Sequence, residues 1–167
     1  MTDQIALTAQ TLTKRCNSRD PFVVARTLGV RVLLVDDFVN LKGMYRVIKR
    51  SRFIFINAAL DKSMRRIVCA HELGHDALHR EAARKDTVQD TMLFGVDSRQ
   101  EYEANLFAAH LLIDSDEVLG LAKRGYTSQY IAATLCTDVN LISIIADYLI
   151  AQGEQLRPQT RKNNILK

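Results

Sequence analysis

Hydrophobic positions change their spacing several times along the chain, and each spacing selects an element. Residues 4–16 and 21–28 place apolar side chains at helical intervals. The second of these segments has Asp20 as its N-cap, Pro21 in the first turn and Gly29 to close it. Val30-Arg31-Val32-Leu33-Leu34-Val35 is rich in strand formers and predicts a strand. Gly43 opens a predicted hairpin in which 44–48 pairs with 53–56 across the polar turn Lys49-Arg50-Ser51-Arg52. Phe53 and Phe55 alternate with Ile54 and Ile56, so the second hairpin strand is apolar on both faces and is expected in the interior.

From there on helical spacing dominates. Asp61 or Ser63 can cap a helix that runs to about His79. Residues 80–97 are polar and irregular, the composition of a mobile loop beside a site. A helix is expected from Ser98 to about Ile113, and another, capped by Ser115 with Asp116 and Glu117, ends near Gly125. Two short helices, 127–135 and 141–150, flank Cys136-Thr137-Asp138-Val139-Asn140. The class is α+β: a short mixed or antiparallel sheet packed on a long helix, with helices after it. The expected domains are a core, 1–120, a helical subdomain of helix-turn-helix rhythm packed on it, 121–153, and a basic flexible tail, 154–167.

The long helix carries His71-Glu72-Leu73-Gly74-His75, an HExxH motif. At 3.6 residues per turn His71 and His75 stack on one face, where two imidazoles can reach a single tetrahedral zinc ion. Glu72 lies one residue round, placed as the general base that activates a zinc-bound water. Two of the four histidines in the chain fill this motif. A chance match in a chain of this length arises roughly once in a few hundred cases, so the metal reading dominates. Ile67, Ala70, His71, Gly74, His75 and Leu78 share the expected buried face, with Arg65, Arg66 and Asp76 opposite. Gly74 costs about 1 kcal/mol relative to Ala inside a helix, which implies close approach of another backbone.

Two histidines leave zinc short of a protein ligand. Positions 78 and 81 are Leu78 and Glu81, which excludes a third histidine in the metzincin spacing. A glutamate from the helix beginning near Ser98 is the alternative. Glu101 is favoured because Asn105 follows one turn later and can hydrogen-bond the outer nitrogen of a ligand histidine. Glu103 competes for the position, and Ser98-x-x-Glu101 also reads as a capping box. His79 would stand about 12 Å along the axis from His71, too far for the same ion. It reads as a helix C-terminal residue or as a proton donor on the substrate side. His110 lies in an apolar stretch and reads as a core histidine, while Tyr102 and Tyr126 are both able to polarise a carbonyl.

Composition narrows the setting. Of 167 residues, 47% are hydrophobic and 25% charged, ordinary for a globular domain that builds its core without staples. Cys16, Cys69 and Cys136 are scattered, with no CxxC pair for a disulfide framework or thiolate zinc site. Reduced cysteines and a start without a basic patch and apolar run point to the cytoplasm. No apolar run is long enough to span a bilayer. A net charge of +4 tolerates acidic partners without indicating nucleic acid. Residues 127–151 have the rhythm of a helix-turn-helix, yet 141–148 offers no Lys or Arg to phosphates or guanines, so DNA is not the expected partner. Two histidines and a carboxylate also suit iron or manganese, with zinc the first expectation.

His71-Glu72-Leu73-Gly74-His75-Asp76-Ala77-Leu78-His79, followed by Glu101-Tyr102-Glu103-Ala104-Asn105-Leu106-Phe107-Ala108-Ala109-His110-Leu111-Leu112, resembles the ImmA/IrrE family of metallo-endopeptidases. The HELGHxxLH and ExEANxFAAxLL signatures occur in the family's order and spacing, and the resemblance spans about residues 20–150. It implies a small gluzincin-type zinc peptidase core, with His71, His75 and Glu101 as ligands and Glu72 as general base. It also implies a substrate class: helix-turn-helix repressors of mobile elements or stress regulons, whose cleavage derepresses genes. Where the family often continues with Met-Pro, this chain has Ile113-Asp114, a departure at the helix exit.

Overall fold

Short polar signals set where the helices begin and end. The computed structural model describes residues 2–81, 88–90 and 99–156. Helix α1, Thr2–Cys16, stops at Asn17, which takes the left-handed conformation at φ 47°. Helix α2, Pro21–Leu28, starts where the Asp20 carboxylate accepts from Phe22 N at 3.0 Å and ends at Gly29, φ 72°. Asp61, rather than Ser63, caps α3, Lys62–Leu78, by accepting from Met64 N at 2.8 Å.

Strands β1, Val30–Val35, β2, Gly43–Ile48, β3, Ser51–Asn57, and β4, Val88–Asp90, form one sheet in the order β1-β3-β2-β4. β1 runs parallel to β3, while β2 is antiparallel to both β3 and β4. The sheet is therefore mixed and packs on α3, in an α+β fold. The hairpin is tighter than its polar stretch suggests. β3 begins at Ser51, and only Lys49 and Arg50 turn the chain, at φ 46° and 68°. Two consecutive left-handed residues make a turn whose twist matches that of the strands.

β3 is central in the sheet, but among the described residues only one of its faces is closed. Ile54 and Ile56 are fully buried with Tyr45. Phe53 and Phe55, stacked at 6.0 Å, are only half-buried, and Leu33 on the same face is 44% exposed. The expectation that both faces are interior is corrected to one.

Helix α3 lies between the sheet and α4, Arg99–Leu112, and is buried continuously from Ile67 to Asp76. Asp76, expected opposite the buried face, is instead 1% exposed. Its carboxylate accepts from Tyr45 Oη at 2.6 Å, Arg52 Nη1 at 2.8 Å and Arg80 Nη2 at 3.2 Å. A helix covered on two sides has no single polar face, and this buried charge is retained through its hydrogen bonds.

Residues 88–90 pair as a strand, so the irregular segment expected over 80–97 is not irregular there. The rest of that segment from 82 onward, Ser98 with its capping box, and the tail from 157 lie outside the described residues. The chain divides into two compact units, Met1–Leu112 and Ile113–Lys167. The second contains α5, Ser115–Lys123, α6, Ser128–Thr134, and α7, Val139–Ala151. Asp114, not Ser115, caps α5 by accepting from Asp116 N at 3.0 Å, which gives the unusual helix exit a local purpose. α7 packs on α5 and α6, and between α6 and α7 the chain turns by 116°. No single helix among the described residues is long and apolar enough to cross a membrane.

Candidate metal centre

The site is made by two helices that touch backbone to backbone. A Cβ built on Gly74 would lie 2.9 Å from Ala104 Cα and 3.1 Å from its carbonyl oxygen. Only glycine permits that approach, the close contact expected from its place inside the helix. It brings His71 and His75 on α3 against Glu101 and Asn105 on α4.

Three side chains converge. His71 Nε2 and His75 Nε2 are 3.1 Å apart, and Glu101 Oε2 and Oε1 stand 3.2 Å from the first and 3.4 Å from the second. Ligands about 2 Å from a tetrahedral ion are separated from one another by about 3.3 Å. Each contact is close to that spacing, and one ligand atom from each of the three side chains lies within 4.8 Å of the other two, so the group could hold an ion. Glu103, the competing glutamate, points elsewhere: its Oε2 is 3.0 Å from His79 Nε2, and its Oε1 accepts from Arg99 Nε at 2.7 Å.

The outer nitrogens support the same reading. His71 Nδ1 lies 2.8 Å from Asn105 Oδ1, which can only accept. His71 then donates from Nδ1 and keeps a lone pair on Nε2. His75 Nδ1 is 3.2 Å from His79 Nδ1. Burial lowers the pKa of His75, outweighing the pull of Glu101. A neutral imidazole is the ligand form. For Glu101, burial opposes ionisation, but where the facing His71 and His75 Nε2 atoms carry a proton their hydrogen bonds hold the carboxyl well below the usual range. An imidazolium would present a proton to this carboxylate and a neutral imidazole presents a lone pair. In either state the focus favours positive charge beside Glu101.

Glu72 is fully buried and lies against β2. A Cβ on Gly43 would fall 2.9 Å from Glu72 Oε1 and 2.3 Å from Val68 Cγ1. Sequence reading assigned Gly43 only to the start of a hairpin. Its part in admitting the Glu72 carboxylate depends on which strand crosses α3, and no local signal carries that.

The remaining candidates lie outside this group. His79 caps α3 and bridges His75 to Glu103. His110 is 1% exposed, and burial, then the nearby Arg19 charge, lowers its pKa to about 4. Burial raises the pKa of the Cys69 thiol, which makes it unreactive. Tyr102 is half-buried on α4, and Tyr126, in the second unit, stacks on Tyr130 at 4.4 Å.

Residues 25–143 match the family described as the IrrE N-terminal-like domain, a peptidase family. The chain is also similar to "Uncharacterized immunity region protein 2" of Bacillus phage phi105, at 35% identity over 109 residues, 65% of this chain and 68% of the phage protein.

Proposed function

Since the chain belongs to the peptidase family of the IrrE N-terminal-like domain, we propose that it is a zinc-dependent endopeptidase of gluzincin type. Its substrate in this reading is a helix-turn-helix transcriptional repressor of a mobile element or stress regulon, cut in the cytoplasm to release the repressed genes. One observation carries the reading: His71 Nε2, His75 Nε2 and Glu101 stand 3.1–3.4 Å apart, the spacing of donors around one tetrahedral ion. The repressor assignment draws on the family and on the phage relative, whose name places it in an immunity region.

His71, His75 and Glu101 would hold the zinc, and Asn105 orients His71. A divalent ion bound there supplies Lewis acidity to the scissile carbonyl and to the attacking water. Glu72, fixed on α3 one residue after His71, takes the proton from that water and passes it to the leaving amine. The carboxylate is buried beneath β2, beside Gly43.

The test is cleavage of a candidate helix-turn-helix repressor. Purified protein with zinc should give discrete fragments. Glu72→Gln should lower the rate by about 10²-fold or more while zinc binding stays within a few-fold of wild type. Intact repressor under every condition in which the protein holds zinc would reject the proposal.

A second reading gives the α6–α7 pair a nucleic-acid role, favoured by its 116° turn, within the range of helix-turn-helix units. α7 carries no Lys or Arg, so this reading predicts a salt-dependent gel shift that the peptidase reading does not.

A further inference from the structure

A line of contacts leaves the metal focus through His75 and ends at an exposed arginine. His75 Nδ1 is 3.2 Å from His79 Nδ1, His79 Nε2 is 3.0 Å from Glu103 Oε2, and Arg99 Nε is 2.7 Å from Glu103 Oε1. With His79 neutral, the far end fixes the direction of every proton along the line. A guanidinium only donates, so Glu103 receives from Arg99 as a carboxylate. A carboxylate only accepts, so a neutral His79 carries its proton on Nε2 and has a lone pair on Nδ1. The contact between the two Nδ1 atoms then needs a proton from His75. With that proton on Nδ1, the Nε2 lone pair of His75 faces His71 Nε2 and Glu101. Reversing the line would put the proton on His75 Nε2, where an ion would bind.

Asn105 does for His71 in one step what His79 and Glu103 do for His75 in two. Backbone geometry holds the arrangement: His79 is the C-cap of α3, with its amide donating to the His75 carbonyl at 2.9 Å. We infer that His79, oriented by Glu103, is a positioning residue that accepts a hydrogen bond from His75 Nδ1 and fixes the tautomer in which His75 can ligate the metal. The inference rests on the metal-peptidase reading above. It gives His79 a task other than a generic helix end or a proton donor to substrate.

Zinc affinity, measured by competition with a chromogenic chelator, tests it without reference to catalysis. His79→Leu should weaken zinc binding by about 10- to 100-fold, the usual loss on removing a partner of a ligand histidine. His79→Gln should restore most of that loss, because its amide oxygen can accept from His75 as Asn105 accepts from His71. Glu103→Leu should weaken binding by about 3- to 10-fold, since His79 loses its orienting acceptor but keeps its ring. In the metal-free wild type, nitrogen-15 spectra should show His75 protonated at Nδ1. Wild type that binds zinc while His79→Leu binds equally well would overturn the inference and leave the peptidase reading standing. A His75 ring protonated at Nε2 would do the same even if His79→Leu failed to fold. A wild type that binds no divalent ion would overturn both.

Discussion

Glu72 and Gly43 must be considered together, because the space for the carboxylate exists only while position 43 has no side chain. Gly43→Ala puts a Cβ 2.3 Å from Val68 Cγ1 and 2.9 Å from Glu72 Oε1. The expected outcome is a stability loss of about 1–3 kcal/mol by denaturant unfolding. Proteolysis should fall, with zinc affinity little changed, because Val68 and Glu72 are displaced but the ligands are not. His110 gives a pH prediction. Its folded pKa is lowered to about 4 against an unfolded value near 6.5, so between those values the unfolded chain binds more protons than the folded one. Stability is full above about pH 6.5 and is lost as pH falls toward 4. Between pH 7 and pH 5 this group should cost the metal-free protein about 2 kcal/mol, and His110→Leu should flatten that part of the pH profile. At this scale the candidate residues that the structure brings together were legible, because HExxH is a contiguous pattern tied to one helix face. Gly43 and the bridging role of His79 were not, since each depends on what another element brings alongside.

Helices α3 and α4 carry the proposed ligands between them, and their separation is set at one point. In an exposed helix Gly→Ala gains about 1 kcal/mol. At Gly74 the added Cβ meets the Ala104 backbone at 2.9 Å and 3.1 Å, and backbone cannot swing aside as a side-chain tip can. Gly74→Ala should therefore destabilise the protein despite the better propensity. It should also weaken zinc binding by about 10-fold or more, the loss expected when ligand geometry is disturbed. Ala104→Gly should not rescue it, because the nearest contacts are Ala104 Cα and O rather than its Cβ. Restored zinc affinity in the double variant would refute this account. Elements with strong end signals were legible for the same local reasons that form them. Asp20 and Gly29 bracket α2, and Asp61 opens α3. The Lys49-Arg50 turn was hidden because neither residue advertises a positive φ, and the parallel pairing of β1 with β3 is a long-range choice. Asp76 was misplaced because a one-faced helical pattern takes no account of a sheet and a second helix on opposite sides.

At the scale of the molecule, all three proposed ligands belong to one of two compact units, Met1–Leu112. A ligand that binds only the folded form stabilises by mass action, by about 4 kcal/mol at a thousandfold excess over its dissociation constant. That free energy goes to whichever structure must open to release the ion. Hydrogen exchange reports it locally. Zinc should slow the most protected amides of α3 and α4 by up to about 10³-fold, because both helices must separate before His71, His75 and Glu101 part. Amides of α7, whose buried Leu141, Ile142, Ile145 and Leu149 belong to the other unit, should slow far less. Glu101→Gln should remove most of the protection in α3 and α4 by cutting zinc affinity, and should leave the exchange of α7 as it was. Equal slowing in α7 would mean that the two units open together, and that metal binding stabilises the helices after Leu112 as strongly as those that carry the ligands.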